Sequence, residues 1–103
     1  MIHPDFQPYM PLLIELLKKF KVKSAYLFGS VLTNSFSKNS DIDILVNYDE
    51  KMDPLEMGEN LMDLYIALQD GLKKRVDLLT ERSLKNPYFI QEINATKLKI
   101  YEN

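Results

Sequence analysis

Cysteine is absent from the 103 residues, which excludes disulfides and thiolate-held metals. Histidine occurs once, as His3. No second imidazole exists to share a metal with it, so a solvated side chain near the terminus is expected. Positive charge is not in excess: 13 Lys and Arg face 15 Asp and Glu, for a net charge of −2. A dedicated nucleic-acid binder usually shows a strongly basic face, and this balance makes no case for one. No apolar run approaches the length of a membrane span. The opening Met-Ile-His-Pro-Asp lacks the basic-then-apolar pattern of a secretory signal, so the cytoplasm is the expected location. What remains is ordinary for a soluble globular chain: 46% hydrophobic and 27% charged residues. The length suits one domain, residues 1–103. No internal repeat, linker or low-complexity segment is visible.

The elements follow from periodicity. Residues 1–8, with Pro4 and Pro8, read as a loose lead-in. Leu13, Leu16, Leu17 and Phe20 fall at i, i+3, i+4 and i+7, which predicts a helix over 9–21. Lys18, Lys19, Lys21 and Lys23 crowd its end, where cations complement the helix dipole; a phosphate-binding patch is the alternative. Ser24 to Phe28 reads as a short buried strand that Gly29 breaks. Ser30-Val31-Leu32 is expected to open a short helix with Ser30 at or near its cap. Asn34 to Ser40 is polar and turn-rich. A second strand is expected over 42–47.

Asp53-Pro54-Leu55-Glu56 is the clearest helix start, with a capping acid, proline at the first position and a capping-box glutamate. That helix is expected to run to about Asp70, with Gly71 as its stop. Met57, Leu61, Leu64 and Leu68 form its buried face, extended by Tyr65 and Leu72. A third strand is expected over Val76-Asp77-Leu78-Leu79. Asn86-Pro87 opens a last helix to about residue 97, with Phe89, Ile90 and Ile93 inward. Leu98 to Tyr101 alternate and add a short strand or tail.

The chemistry concentrates in residues 26–46. Asp41 and Asp43 stand two apart at the start of a strand, so both carboxylates aim at one face. Like charges so placed repel unless a cation lies between them. Asp77 is a single acid inside an apolar strand, a costly position unless it is paired, metal-bound or at an edge. Lys73, Lys74 or Arg75 could pair with it. If its strand lies beside 42–47, all three acids can converge instead. Such a hard, oxygen-rich site suits Mg²⁺ together with substrate phosphates, and two ions would clamp an in-line phosphoryl displacement. Gly29 lets backbone approach a ligand. Helical N–H groups after it and the Ser30 hydroxyl favour a phosphate. The reaction class that follows is nucleotidyl transfer from a nucleoside triphosphate, with pyrophosphate leaving.

Leu27-Phe28-Gly29-Ser30, ten residues, then Asp41-Ile42-Asp43-Ile44-Leu45-Val46 resembles the minimal nucleotidyltransferases of the DNA polymerase beta-like superfamily. Arg75-Val76-Asp77-Leu78-Leu79 matches that family's third-carboxylate strand, and the resemblance covers about residues 10–101. It implies an α+β fold with a mixed sheet flanked by helices, and a preference for ATP with Mg²⁺. It implies that Asp41, Asp43 and Asp77 bind metal and act in catalysis, with Asp77 activating the acceptor. Gly29 and Ser30 would bind the triphosphate.

The chain departs from the family after the Gly-Ser pair. Val31-Leu32-Thr33-Asn34 stands where an Arg-Ala-Arg-Gly-like run is common, and Lys38 is the next cation along the loop. Minimal members of the family often act as antitoxins of helical HEPN toxins, some by attaching AMP to a tyrosine hydroxyl. The implied function is therefore a Mg²⁺-dependent adenylyltransferase acting on a HEPN partner. The alternatives are an antitoxin acting by contact alone, favoured by the missing arginines, and nucleotidyl transfer to RNA or a small molecule.

Overall fold

The computed structural model describes residues 1–103. Strands β1 (Ser24–Phe28), β2 (Ile42–Asn47), β3 (Val76–Thr80) and β4 (Leu98–Glu102) form one sheet in the order β3-β2-β1-β4. β1 pairs antiparallel with β2 and β4, while β2 and β3 are parallel. Helices α1 (Met10–Lys19), α2 (Pro54–Leu72) and α3 (Pro87–Thr96) complete the α+β fold. A parallel pair needs a long crossover, and α2 supplies it between β2 and β3.

Alternation along the strands divides the sheet into two unlike faces. Ala25 and Leu27 of β1, Ile42, Ile44 and Val46 of β2, and Val76 of β3 join Leu13 and Leu17 of α1 and Leu64, Leu68 and Leu72 of α2 in a core of 16 buried residues. On the other face only Phe28, Leu45 and Ile93 are buried together, with α3 supplying Ile93. Asp43 and Asp77 lie on that second face.

The expected caps of α2 and α3 are present. The Asp53 carboxylate accepts from the Glu56 N–H at 3.3 Å, and the Asn86 side chain accepts from the N–H groups of Tyr88 and Phe89. Elsewhere the structure corrects the sequence reading. Gly71 does not stop α2. The helix runs to Leu72, and Lys73 takes the left-handed capping position at φ 56°. Gly71 instead lies against α1, where an added Cβ would stand 3.0 Å from Leu12. Tyr65 is 36% exposed and does not extend the buried stripe.

The lead-in is pinned rather than loose. Phe6 is fully buried, its ring packs edge-on against Phe36, and the His3 N–H donates to the Val31 carbonyl at 2.8 Å. The His3 ring lies against Phe36 with a 5.3 Å centroid separation and is not freely solvated. The lysines after α1 are exposed, and Lys21 pairs with Glu56 at 3.0 Å, tying the end of α1 to the start of α2.

Candidate active site

The three aspartates stand at the starts of β2 and β3, Asp43 and Asp77 in one row and Asp41 two residues before Asp43. Asp43 is directly opposite Asp77 in the parallel register. Their strand neighbours Ile42, Ile44 and Val76 point into the large core, so both carboxylates point to the α3 face. The ladder extends one step further back, because the Ile42 N–H donates to the Arg75 carbonyl at 3.0 Å. Asp41 and Arg75 are thereby brought together, with Arg75 Nε 3.7 Å from Asp41 Oδ1. The cation beside the row thus engages Asp41, and no ion pair forms between Asp77 and Lys73, Lys74 or Arg75.

Gly29 closes the other side of Asp43. Phe28 pairs with Asp43 across β1 and β2, and the chain then turns at Gly29 with φ +77°. A side chain is strained at that φ. A Cβ at this position would also collide with Asp43 Oδ2. Glycine is needed twice over, for the turn and for the approach of backbone to carboxylate. The turn continues as a 3₁₀ helix, Gly29–Leu32, with Phe28 at its cap position and no side-chain cap bond. Ser30 is therefore not the cap. Its carbonyl accepts from both the N–H and the hydroxyl of Thr33.

Gly29, Asp43 and Asp77 open on a cleft of about 690 Å³ between the sheet and α3. That size lies within the range of small-molecule sites, about 300–1,000 Å³. Phe28 and Thr33 line it from the sheet side, and Phe89, Glu92, Ile93 and Lys97 from the α3 side. Ser30 and Asp41 stand just outside this lining. Asp41 instead borders a shallow, wholly polar depression with Lys38, Lys73, Lys74 and Arg75. Lys38 therefore lies outside the cleft, and its carbonyl accepts from Lys74 Nζ at 2.8 Å. Of the four positions that replace the family's arginine run, Val31 is fully buried in the core and Leu32 lines the cleft.

Two charged cleft residues, Glu92 and Lys97, escaped the sequence reading. Phe89, Glu92, Ile93 and Thr96 fall at i, i+3, i+4 and i+7, and all four line the cleft. An acid on the same stripe as Phe89 and Ile93 was the available signal for Glu92. Lys97 is the only Lys or Arg in the lining. It is already engaged, 3.4 Å from Glu81 and 4.3 Å from the Tyr26 ring centroid.

Electrostatics single out Asp43. Burial, followed by repulsion from Asp77 and then Asp41, pushes its carboxyl up to about 6. A cation at this place would relieve both repulsions, and carboxylate oxygens are the donors Mg²⁺ takes. As the side chains stand, no three acids are grouped closely enough to hold one ion. Asp41 leans toward Arg75, whose side chain is 88% exposed. An exposed pair of this kind is worth only about 0–1 kcal/mol, so Asp41 is free to turn toward Asp43. The donor set fits the ion on chemistry and strand register.

A mixed sheet with an Asp-x-Asp strand, a Gly-Ser turn and a third acid on the adjacent parallel strand defines a nucleotidyltransferase scaffold. The family model described as polymerase beta, nucleotidyltransferase matches residues 12–103, and the chain belongs to that family. Among its relatives, a Methanocaldococcus jannaschii protein provisionally named a protein adenylyltransferase is 43% identical over 86 residues, 84% of each chain. The protein adenylyltransferase MntA of Thermococcus cleftensis is 36% identical over 72 residues, 70% of this chain and 69% of its own. A chain of a toxin–antitoxin crystal structure with AMP-PNP superposes with a TM-score of 0.71 at 27% identity, covering 91% of this chain and 73% of that one. A complex of a tri-AMPylated Shewanella oneidensis HEPN toxin with an MNT antitoxin gives a TM-score of 0.62 at 25% identity, covering 94% and 72%.

Proposed function

We propose that residues 1–103 act as one minimal domain that transfers AMP from ATP to a hydroxyl of a partner protein, with Mg²⁺ as cofactor and a HEPN-class toxin as partner. The observation that carries this reading is the Asp43–Asp77 register beside Gly29, at the mouth of the cleft. Asp41, Asp43 and Asp77 would hold the metal, which would supply Lewis-acid stabilisation of the charge developing on the phosphates and the leaving group. The backbone at Gly29, bare of side chain, lets the triphosphate lie close to the carboxylates. Ser30 is the second residue of the turn that starts at Gly29, at the margin of the cleft, and its hydroxyl would serve the outer phosphate oxygens. Asp77 is the exposed acid of the facing pair and is placed to receive the acceptor's proton. The acceptor oxygen then bonds to the α-phosphorus as the bond to the bridging oxygen breaks, and pyrophosphate leaves. Exclusion of water falls to Phe28, Phe89 and Ile93.

The acceptor class is supported by the relatives' names as protein adenylyltransferases and by the AMPylated toxin in the Shewanella complex. No helix is long and apolar enough to cross a membrane, and a cytoplasmic place suits an intracellular toxin partner. A second reading, neutralisation of the partner by contact with little turnover, is favoured by one feature. The only Lys or Arg in the cleft lining, Lys97, is held by Glu81.

Labelled ATP and Mg²⁺, incubated with this chain and a HEPN-class protein that co-purifies with it, test both. Label should appear on the partner and fall by about 10³-fold in Asp43→Asn, a loss typical of removing a charge-stabilising group. Tight partner binding with no label transferred would overturn the enzymatic reading and leave the contact one.

A further inference from the structure

α2 is apolar on two sides. One stripe, Leu64, Leu68 and Leu72, is buried in the core. A second faces outward: Leu55 is 74% exposed, Met62 59% and Ile66 58%. These three are spaced by seven and four residues, so they share one helix face. Gly58 lies within the same stripe, and nothing stands within 4 Å of where its Cβ would be. A glycine inside a helix costs about 1 kcal/mol against alanine, and the chain's own packing does not require it. The missing side chain leaves a notch where another backbone can approach. From the notch a groove runs between α2 and β3, lined by Leu61, Met62, Tyr65 and Leu78.

Charge narrows the occupant. α2 carries Glu56, Glu59, Asp63 and Asp70 and no basic residue. Glu56 pairs with Lys21 and Asp70 with Lys73. Glu59 and Asp63, which border the stripe, form no ion pair. In a symmetric contact between two copies, the same patch meets itself, and these carboxylates would oppose one another. A helix with basic residues flanking an apolar ridge would pair with them instead.

Position links the groove to the cleft. β3 is an edge strand. Leu78 lines the groove on one face of it, and its neighbour Asp77 lines the cleft on the other. A partner seated on α2 therefore covers the edge around which the acceptor must come.

We propose that the outer face of α2 from Leu55 to Ile66, with Leu78, is the docking groove for a basic amphipathic helix of the partner protein. The helix holds the partner so that its acceptor hydroxyl reaches Asp77 around the β3 edge. This rests on the reading of the chain as a protein-modifying nucleotidyltransferase.

The test uses the full chain and a HEPN-class protein that co-purifies with it, with calorimetry for affinity and labelled ATP for transfer. The double variant Met62→Lys, Ile66→Lys should weaken partner binding by about 30-fold or more, the scale of a lost interface hot spot. It should raise the KM for the partner while leaving kcat, thermal stability and binding of magnesium AMP-PNP unchanged. Asp63→Lys should weaken binding less and reduce its salt dependence. Asp43→Asn should abolish transfer and leave partner affinity intact.

Unchanged partner affinity in the double variant overturns the docking proposal, whether or not transfer occurs. So does failure of the unmodified chain to bind the partner. So does a dimer of the unmodified chain that the double variant dissolves, because the occupant is then a second copy. Loss of affinity in the double variant, in a system where the unmodified chain transfers no AMP, sinks the catalytic reading and leaves the docking groove standing.

Discussion

The two faces of the sheet are built to opposite specifications. Toward α1 and α2, the buried strand residues are all apolar, and 16 buried residues form a continuous core. Toward α3, three buried residues form a small cluster, and the row above it holds Asp43 and Asp77 at adjacent positions. The first face supplies the apolar burial that stabilises the fold, roughly 25 cal/mol for each Å² removed from water. The second face half-buries a carboxylate beside others, and burial, followed by repulsion from Asp77 and then Asp41, lifts Asp43 to about 6. One face can carry an electrostatic cost because the other holds the sheet together. Stability and chemistry are therefore separable by substitution, and that separation can be broken or sharpened in order of expected size.

The largest effect on stability should come from the helical face. Leu68 is fully buried, and Leu68→Ala should destabilise the fold by about 3 kcal/mol through lost burial and a residual cavity. Ile93→Ala on the other face should cost less, because its cluster is small and already borders the cleft. Urea midpoints at constant m-value check both. Equal costs would mean that the small cluster carries more of the fold than its size implies.

Gly29→Ala comes next. The left-handed φ costs about 1–2 kcal/mol for a residue with a side chain, and the new methyl group displaces the Asp43 carboxylate. Transfer should therefore fall by more than that strain alone predicts, read as kcat beside a thermal melt. Normal transfer with lowered stability would remove Gly29 from the site.

The smallest effect concerns pH without metal. Asp43 is raised in the folded state from 3.8 to about 6. Its contribution to stability is thus fully present below the unfolded value and is lost as pH rises through about 6. Because the group is only half-buried, the loss should be about 1 kcal/mol, well below the full shift. Urea midpoints in chelator at pH 4 and pH 7.5 should show it as the difference between the unmodified chain and Asp43→Asn. Added Mg²⁺ should restore stability at the higher pH.

Much of this division was readable from the chain itself. Asp41-Ile42-Asp43-Ile44 announces a strand with one apolar and one acidic face, because the period of 2 is stated residue by residue. Asp53-Pro54 announces a helix start, because the cap is local. The errors fell where distant residues decide. Phe6 is held by Phe36, and Gly71 is set by Leu12 across the helix pair. The exposure of Tyr65 depends on how far α2 rolls over β3. Glu92 shares a helical stripe with Phe89 and Ile93, but that this stripe faces a cleft, and that Lys97 joins it, is decided by the docking of α3. The row itself was legible as far as its residue types. The Asp41–Arg75 contact was not, because it depends on the parallel register of two strands joined through a 19-residue helix.

The claim that one face holds the fold and the other performs the chemistry is tested most directly by a single variant measured twice. Asp43→Asn removes a repelled carboxylate and a proposed metal ligand together. Without metal, its melting temperature should rise by about 4–8 °C, the shift expected for about 1 kcal/mol in a chain of this size. Its transfer of AMP to the partner should disappear. A lower melting temperature with transfer retained would contradict the account, for Asp43 would then support the fold and stand outside the reaction.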